Sequence, residues 1–387
     1  MDGKLNEIIG HEDCKKKVLP VTYPPITTFP PYANTLAVLC NYEEALPWIY
    51  SHYIQTTVVD IINRGKEYIQ AFTQCFFGDF DTRRIANTIA DCVFLNRENC
   101  PLLNVFEVPN SLINSMGMSI VDVVKNLIDS SMYFYGYVDV SKIRDYRFYG
   151  SEEFAHEIFI HGYDDSKGVF HYADFPNNIE NKYKFSECSY TDFEDAFHHI
   201  EGTYVPIVKS FAAIQYVLDA PFGFDYNYVR DSIFEYTYPD TERTRKYNDY
   251  IHSFLASDPN LAYYWIPKVY MGTDVYHYFR DYIEYEFNND NNESIDPRLF
   301  HAMYDHKEMM ILRLKYLIDK GYLSSDKAEL LTDYNKVRDN ALGIRNLVLK
   351  YNVSNNDNTV TKIFELLDTT RTLEIEMLKG IFDFDMD

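Results

Sequence analysis

Basic clusters are almost absent from this chain, and tryptophan occurs only 2 times in 387 residues. Against 59 Asp and Glu stand 36 Lys and Arg, a formal net charge of −23 at pH 7. The only basic runs, Lys15-Lys16-Lys17 and Arg243-Thr244-Arg245-Lys246, are short and close to acids. Non-specific nucleic-acid binding draws its free energy from Lys and Arg that displace phosphate counterions, so no nucleic-acid partner is expected. The six cysteines, at 14, 40, 75, 92, 100 and 188, have no CxxC spacing, and nothing reads as a zinc site or a disulfide framework. No run reaches the ~18 apolar residues of a membrane span, and no charged-then-apolar leader opens the chain. The expectation is a cytoplasmic chain with reduced thiols and no membrane partner.

What is present reads as globular: 46% of residues are apolar and 25% charged. At roughly 150 residues per domain the length predicts two or three units. Tyrosine (35) and phenylalanine (27) are abundant. Tyrosine buries a ring and keeps a polar tip, which suits a polar-lined cleft. The acidic balance favours a cationic small substrate such as an amine, and the same acids equally serve as a solvated surface.

Residues 1–32 read as an irregular lead, because the pairs Pro24-Pro25 and Pro30-Pro31 oppose a helix. A helical pattern starts at Ala33. Residues 47–77 are apolar and helix-compatible, and 82–95 suggest another helix. Ser119 to Ser131 is amphipathic, with Ile120, Val123, Val124 and Leu127 on one face. Tyr133 to Val140 alternates as a strand. Tyr190 to His198 predicts a helix with Thr191 as N-cap and Glu194 completing a capping box. Residues 205–238 are mixed, and from about 241 the pattern is mainly helical. Polar loops at 288–294 and 352–358 separate helices expected over 297–320, 325–351 and 359–384. The fold class is therefore α+β, with a front unit over 1–210 and a mainly helical region over 211–387.

The segment with chemical content is a hairpin. Ala155 to Tyr163 reads as a strand, Asp164-Asp165-Ser166-Lys167-Gly168 as a turn, and Val169 to Phe175 as the returning strand. Closure symmetric about Ser166 sets Ile158 opposite Asp174, with His156 two residues away on the same face. The diagonal between His156 and Asp174 is then roughly 7–8 Å at the backbone, within side-chain reach. A carboxylate on one imidazole nitrogen fixes the tautomer and leaves the other nitrogen as a base. One residue of slip would turn Asp174 to the wrong face. On the other face the same register opposes His161 to His171, near Glu157 and Tyr172. A metal site would need further ligands there, and none is evident.

A thiol enzyme places its cysteine at a helix N-terminus, where the dipole and backbone N–H groups favour the thiolate and an oxyanion. The helix after Pro30-Pro31-Tyr32 offers that place, but the residue there is Ala33, followed by Asn34. Cys40 lies two turns further on, on the face of Leu36, and reads as a buried structural thiol. The other five cysteines have no comparable setting. Ala33 is either a replacement of a native cysteine or the mark of a naturally silent member of an enzyme fold.

Several stretches carry a family resemblance: Ala33-Asn34-Thr35-Leu36-Ala37-Val38-Leu39, Pro47-Trp48-Ile49-Tyr50-Ser51-His52-Tyr53-Ile54-Gln55, His156 to Asp165 and Ala173-Asp174-Phe175. Asp305-His306-Lys307 and Arg313 add to it. Together they resemble a bacterial family of papain-like, cysteine-protease-like proteins found with peptide-natural-product genes, which includes acyltransferases and amide synthetases of butirosin and closthioamide assembly. The resemblance implies a papain-like fold and amide formation without ATP. An acyl group on the phosphopantetheine arm of a carrier protein would pass to an active-site cysteine and then to a small amine such as 1,3-diaminopropane. It implies no other cofactor and no metal. Carried onto this sequence, position 33 is the nucleophile, His156 the base and Asp174 its orienting carboxylate. Tyr32 and Asn34 are candidate substrate contacts, and Tyr32, His306 and Arg313 candidate lining residues. Hydrolysis on the same triad, and a catalytically silent carrier-protein-binding module, are the competing readings.

Overall fold

The computed structural model describes residues 15–59, 76–77, 100–176, 182–200, 209–217, 222–242, 245–246, 269–288 and 294–384. Cys14, Cys75 and Cys92 lie outside the described residues. So do most of the helix-compatible stretch after 59, the segment 82–95, Arg243-Thr244 and most of the loop at 288–294.

In chain order the elements of the first third are β1 (Lys16–Val18), α1 (Pro30–Leu39), α2 (Leu46–Ser51), β2 (Thr56–Val59), β3 (Phe76–Phe77), β4 (Leu103–Pro109), α3 (Asn110–Met116) and α4 (Ile120–Asp129). The middle holds β5 (Tyr133–Asp139), β6 (Ala155–Asp164), β7 (Val169–Asp174), β8 (Lys184–Ser189), α5 (Tyr190–His199), β9 (Ser210–Tyr216) and α6 (Tyr226–Thr237). The remainder is β10 (Val269–Met271), α7 (Val275–Phe287), α8 (Pro297–Asp319), α9 (Ala328–Ser354) and α10 (Asp357–Phe382). An antiparallel sheet and a helical C-terminal region make the chain α+β. Among the described residues no helix is long and apolar enough to cross a membrane.

Two compact units result, one of residues 1–23 with 95–219 and the other of 24–94 with 220–387. The expected boundary was a single one at 210/211. The division instead assigns α1, with Ala33, to the unit that holds the helical tail.

The first unit is built on an antiparallel sheet in the order β4-β9-β5-β6-β7-β8. Strand β6 pairs with β5 along Ala155–Ile160 and with β1 along Gly162–Asp164. The change of partner falls at a bulge between Ile160 and Gly162. Gly162 is required there, since a Cβ would lie 2.8 Å from the Lys17 carbonyl oxygen and 3.0 Å from Val18 Cα. The rings of Phe134 and Phe170 meet Phe193 of α5 edge-on, at centroid distances of 5.6 and 5.1 Å. Helix α4 buries Ile120, Val123, Val124 and Ile128, with Leu127 half-buried at the margin. Helix α5 is capped by Ser189, whose Oγ accepts the Asp192 N–H at 3.0 Å. Thr191, expected as the cap, lies inside the helix. Glu194 accepts a 3.4 Å bond from Ser119 Oγ.

The second unit packs α6, α8, α9 and α10 around one apolar core, including Ile233, Tyr236, Met310, Leu314, Tyr334, Val337, Leu378 and Ile381. A small sheet, β10-β2-β3, belongs to it. Thr56-Thr57-Val58-Val59 therefore forms a strand where a helix-compatible run was expected, because four β-branched residues in a row fit a pleated surface better than a helix. Helix α1 begins at Pro30 and not at Ala33: Phe29 is the extended N-cap, and the prolines occupy N1 and N2. Those positions have no intrahelical N–H bond to lose, and the proline φ is already helical.

Candidate active site

The hairpin closes in the expected register where it matters. Phe159 faces Ala173 and Ile160 faces Tyr172, both symmetric about Ser166. A slip does occur, but beyond the bulge, where Gly162 faces His171. His161 and His171 are thus not directly opposed, and their rings sit tilted with centroids 6.2 Å apart.

His156 lies opposite Val138 on β5, and Phe134 lies opposite Ile160. The period of two therefore sets His156, Ile158 and Ile160 on the face whose Phe134 packs on α5. At the end of that face His156 Nδ1 is 2.9 Å from Asp174 Oδ2 and 3.0 Å from the Glu157 carbonyl oxygen. Both partners only accept, so Nδ1 carries a proton. Nε2 has no protein partner among the described residues. The Asp174 side chain is 1% exposed and that of His156 27%, so a buried carboxylate orients an imidazole that reaches solvent. Asp174 Oδ2 also accepts the Tyr146 hydroxyl at 2.5 Å, while its Oδ1 has no hydrogen-bond partner among the described residues. The Tyr146 ring stacks on Tyr172, at a centroid distance of 5.7 Å. Tyr146 was not among the sequence-predicted site residues. It lies 28 residues from Asp174, in a chain with 35 tyrosines, and no local pattern marks it.

Burial alone would lower the His156 pKa, but the Asp174 charge and hydrogen bond, with Glu157 behind them, raise it to about 10. At neutral pH His156 is therefore held protonated. A raised folded-state pKa contributes stability that is complete below the unfolded value near 6.5 and is lost as pH rises through about 10. Urea titrations should therefore show stability falling across pH 6.5–10. His156→Gln should flatten that fall and cost on the order of 1–2 kcal/mol at pH 6. An unchanged slope in the variant would contradict the assignment.

Ala33 is fully buried at the fourth position of α1, its N–H bonded to the Phe29 carbonyl at 3.0 Å. Pro30 and Pro31 supply no N–H, so the first turn offers fewer anion-facing donors than an ordinary helix start. Tyr32 lies edge-on to Phe29 and Tyr53, at 6.3 and 6.0 Å. Tyr53 itself holds a left-handed φ of 58°, uncommon for a bulky residue. Asn34 is buried.

None of the described cysteines is poised as a nucleophile. Cys40 is the C-cap of α1, the helix end that disfavours an anion. Burial pushes its thiol to about 12, and Cys100 also to about 12. Cys188 is driven higher still, by burial first and then by Asp192 and Asp145.

The Asp305-His306-Lys307 run and Arg313 are buried interior fasteners. Arg313 is fully buried and donates to the Tyr50 carbonyl at 2.9 Å and to the His52 carbonyl. His306 Nε2 lies 2.7 Å from the Ile54 carbonyl oxygen. Lys307 pairs with Glu374 at 2.8 Å, both side chains at most 1% exposed. Asp305 accepts the Thr27 N–H at 2.7 Å and the Thr28 hydroxyl at 2.6 Å, tethering the segment that leads into α1.

On the opposite face of the sheet, burial and the neighbouring His171 lower the His161 pKa to about 4, so that ring is neutral. Among the described residues no three His, Cys, Asp or Glu side chains converge as metal ligands. No protein-family model and no curated protein matches the sequence.

Proposed function

We propose that the chain has a papain-like fold whose chemistry is acyl transfer from a carrier-protein thioester, through a cysteine at position 33, to a small amine. The observation that carries this reading is the His156–Asp174 pair, in which a buried carboxylate holds a partly exposed imidazole by Nδ1. A histidine held as imidazolium at neutral pH is suited to stabilising a thiolate and to protonating a thiolate leaving group. It is poorly suited to activating water directly, which favours the thiol mechanism.

In that reaction the thiolate of a cysteine at position 33 attacks the thioester carbonyl, and the phosphopantetheine thiol leaves with a proton from His156. The amine then attacks the acyl-enzyme, its proton passes to His156, and the cysteine thiolate departs. A thioester is already activated, so no ATP is consumed. Yield depends on keeping water from the acyl-enzyme. The closthioamide-type resemblance implies 1,3-diaminopropane as the amine, and the net charge of −23 favours such a cation. Ala33 offers no nucleophile, so the chain as it stands binds carrier and amine without turnover. A second reading, a silent carrier-binding module, is favoured by that same alanine.

The test uses an acyl-loaded carrier protein and 1,3-diaminopropane with the chain and its Ala33→Cys variant. The expected result is an acyl adduct by intact-protein mass spectrometry, and amide by chromatography, in Ala33→Cys only. The unaltered chain should show neither. Carrier binding without an adduct in either form would establish the silent module. Free acid in place of amide would establish a hydrolase.

A further inference from the structure

We infer that Tyr146 is a positioning residue for His156, acting through the Asp174 oxygen that both contact. The inference rests on the proposed role of the His156–Asp174 pair but is tested without turnover. Asp174 Oδ2 receives two donors, Tyr146 Oη at 2.5 Å and His156 Nδ1 at 2.9 Å, and Oδ1 receives none among the described residues. A carboxylate turns about its terminal bond at little cost, and left alone it would share its oxygens between donors. The Tyr146 hydroxyl fixes which oxygen faces the imidazole.

Tyr146 is itself immobilised. Its ring lies nearly parallel to that of Tyr172. The segment bearing it is closed at one end by Asp139, whose Oδ1 accepts the Ser141 and Phe154 N–H groups at 3.0 Å each. Arg147 N–H ties it to the Pro176 carbonyl, just past Asp174. Burial, with the Asp174 charge next, keeps the phenol protonated, so it stays a donor at any working pH. The other groups facing the pair are Glu157, 3.8 Å from His156 Nδ1, and Tyr183, whose phenol is also held protonated by burial and by Asp174.

The sign of the effect follows from charge. When His156 loses its proton, the Asp174 carboxylate is left buried and uncompensated, and the Tyr146 O–H stabilises that state more than the ion pair. Tyr146→Phe, which keeps ring and stacking, should therefore raise the His156 pKa by roughly half a unit to one unit. The low-field Nδ1–H proton signal should broaden or vanish as the carboxylate turns.

The experiment is a ¹⁵N-histidine NMR titration of the chain and Tyr146→Phe between pH 6 and 11. Tyr172→Phe is the control: it removes a neighbouring buried hydroxyl that bonds to Asp145 at 2.8 Å, and it should leave His156 unmoved. Equal His156 titrations and Nδ1–H signals in the chain and Tyr146→Phe would overturn the inference, as would an equal shift in Tyr172→Phe. In the Ala33→Cys background, Tyr146→Phe should lower kcat about tenfold with little change in the KM for the amine. If Ala33→Cys forms no acyl-enzyme while the titration moves, the functional reading fails and the positioning role stands.

Discussion

Asp174→Ala is expected to bring the His156 pKa from about 10 down to 6.5 or below. Burial already pushes it down, and Asp174 supplies the largest opposing contribution, by charge and by hydrogen bond. Glu157 remains, but its carboxylate is 3.8 Å from Nδ1 and its side chain is 18% exposed, so solvent weakens it. The imidazole then becomes neutral near pH 7 and free to adopt either tautomer. In the Ala33→Cys background the acyl-transfer rate should fall by up to about 10⁴-fold, the loss seen when the orienting carboxylate of a hydrolase triad is removed. Histidine NMR gives the first quantity and single-turnover acylation the second. A pKa that stays near 10 in Asp174→Ala would show that another group holds the proton.

Glu374→Ala should cost about 3–5 kcal/mol of unfolding free energy. Glu374 is fully buried and accepts from the hydroxyls of Tyr236 (3.1 Å), Tyr334 (2.7 Å) and Tyr276 (2.8 Å), and from Lys307 Nζ (2.8 Å). Removing it strands a buried ammonium and orphans hydroxyls contributed by α6, α7 and α9. The large effect lies in the unpaired charge, so Lys307→Met with Glu374→Leu should recover most of the loss. Urea unfolding of the two variants decides it. A double variant as unstable as Glu374→Ala would mean that the tyrosine hydroxyls, and not the ion pair, carry the energy. This contrast also separates roles: Lys307 and Glu374 act on the stability of the helical unit, Asp174 on the protonation of His156.

How much of this could be read from sequence depended on how local its cause was. The β6–β7 hairpin was legible because alternation and the Asp164–Gly168 turn chemistry are written in consecutive residues, and the His156–Asp174 diagonal followed from that register. The bulge at His161 was not, because it is set by the approach of Lys17 and Val18 to Gly162, more than 140 residues away in sequence. Helix α1 starts at Pro30, ahead of the expected Ala33, because proline is excluded from a helix interior but tolerated at N1 and N2. The Thr56–Val59 strand was hidden in an apolar run whose length alone does not separate strand from helix. Ser189 caps α5 in place of Thr191 although both are good N-caps, since cap choice depends on where the preceding strand releases the chain. Tyr146 and Glu374 are members of polar clusters closed over long sequence distances, and single-residue chemistry gives no warning of either.

Alkylation of Ala33→Cys with iodoacetamide across pH 4–10, with and without His156→Ala, decides whether position 33 and His156 share one thiol mechanism. A shared mechanism gives a thiolate that reacts well below the ordinary thiol pKa near 8.5, and a return to that value or above in the His156→Ala background. Alkylation that follows an ordinary or buried thiol in both backgrounds would contradict it.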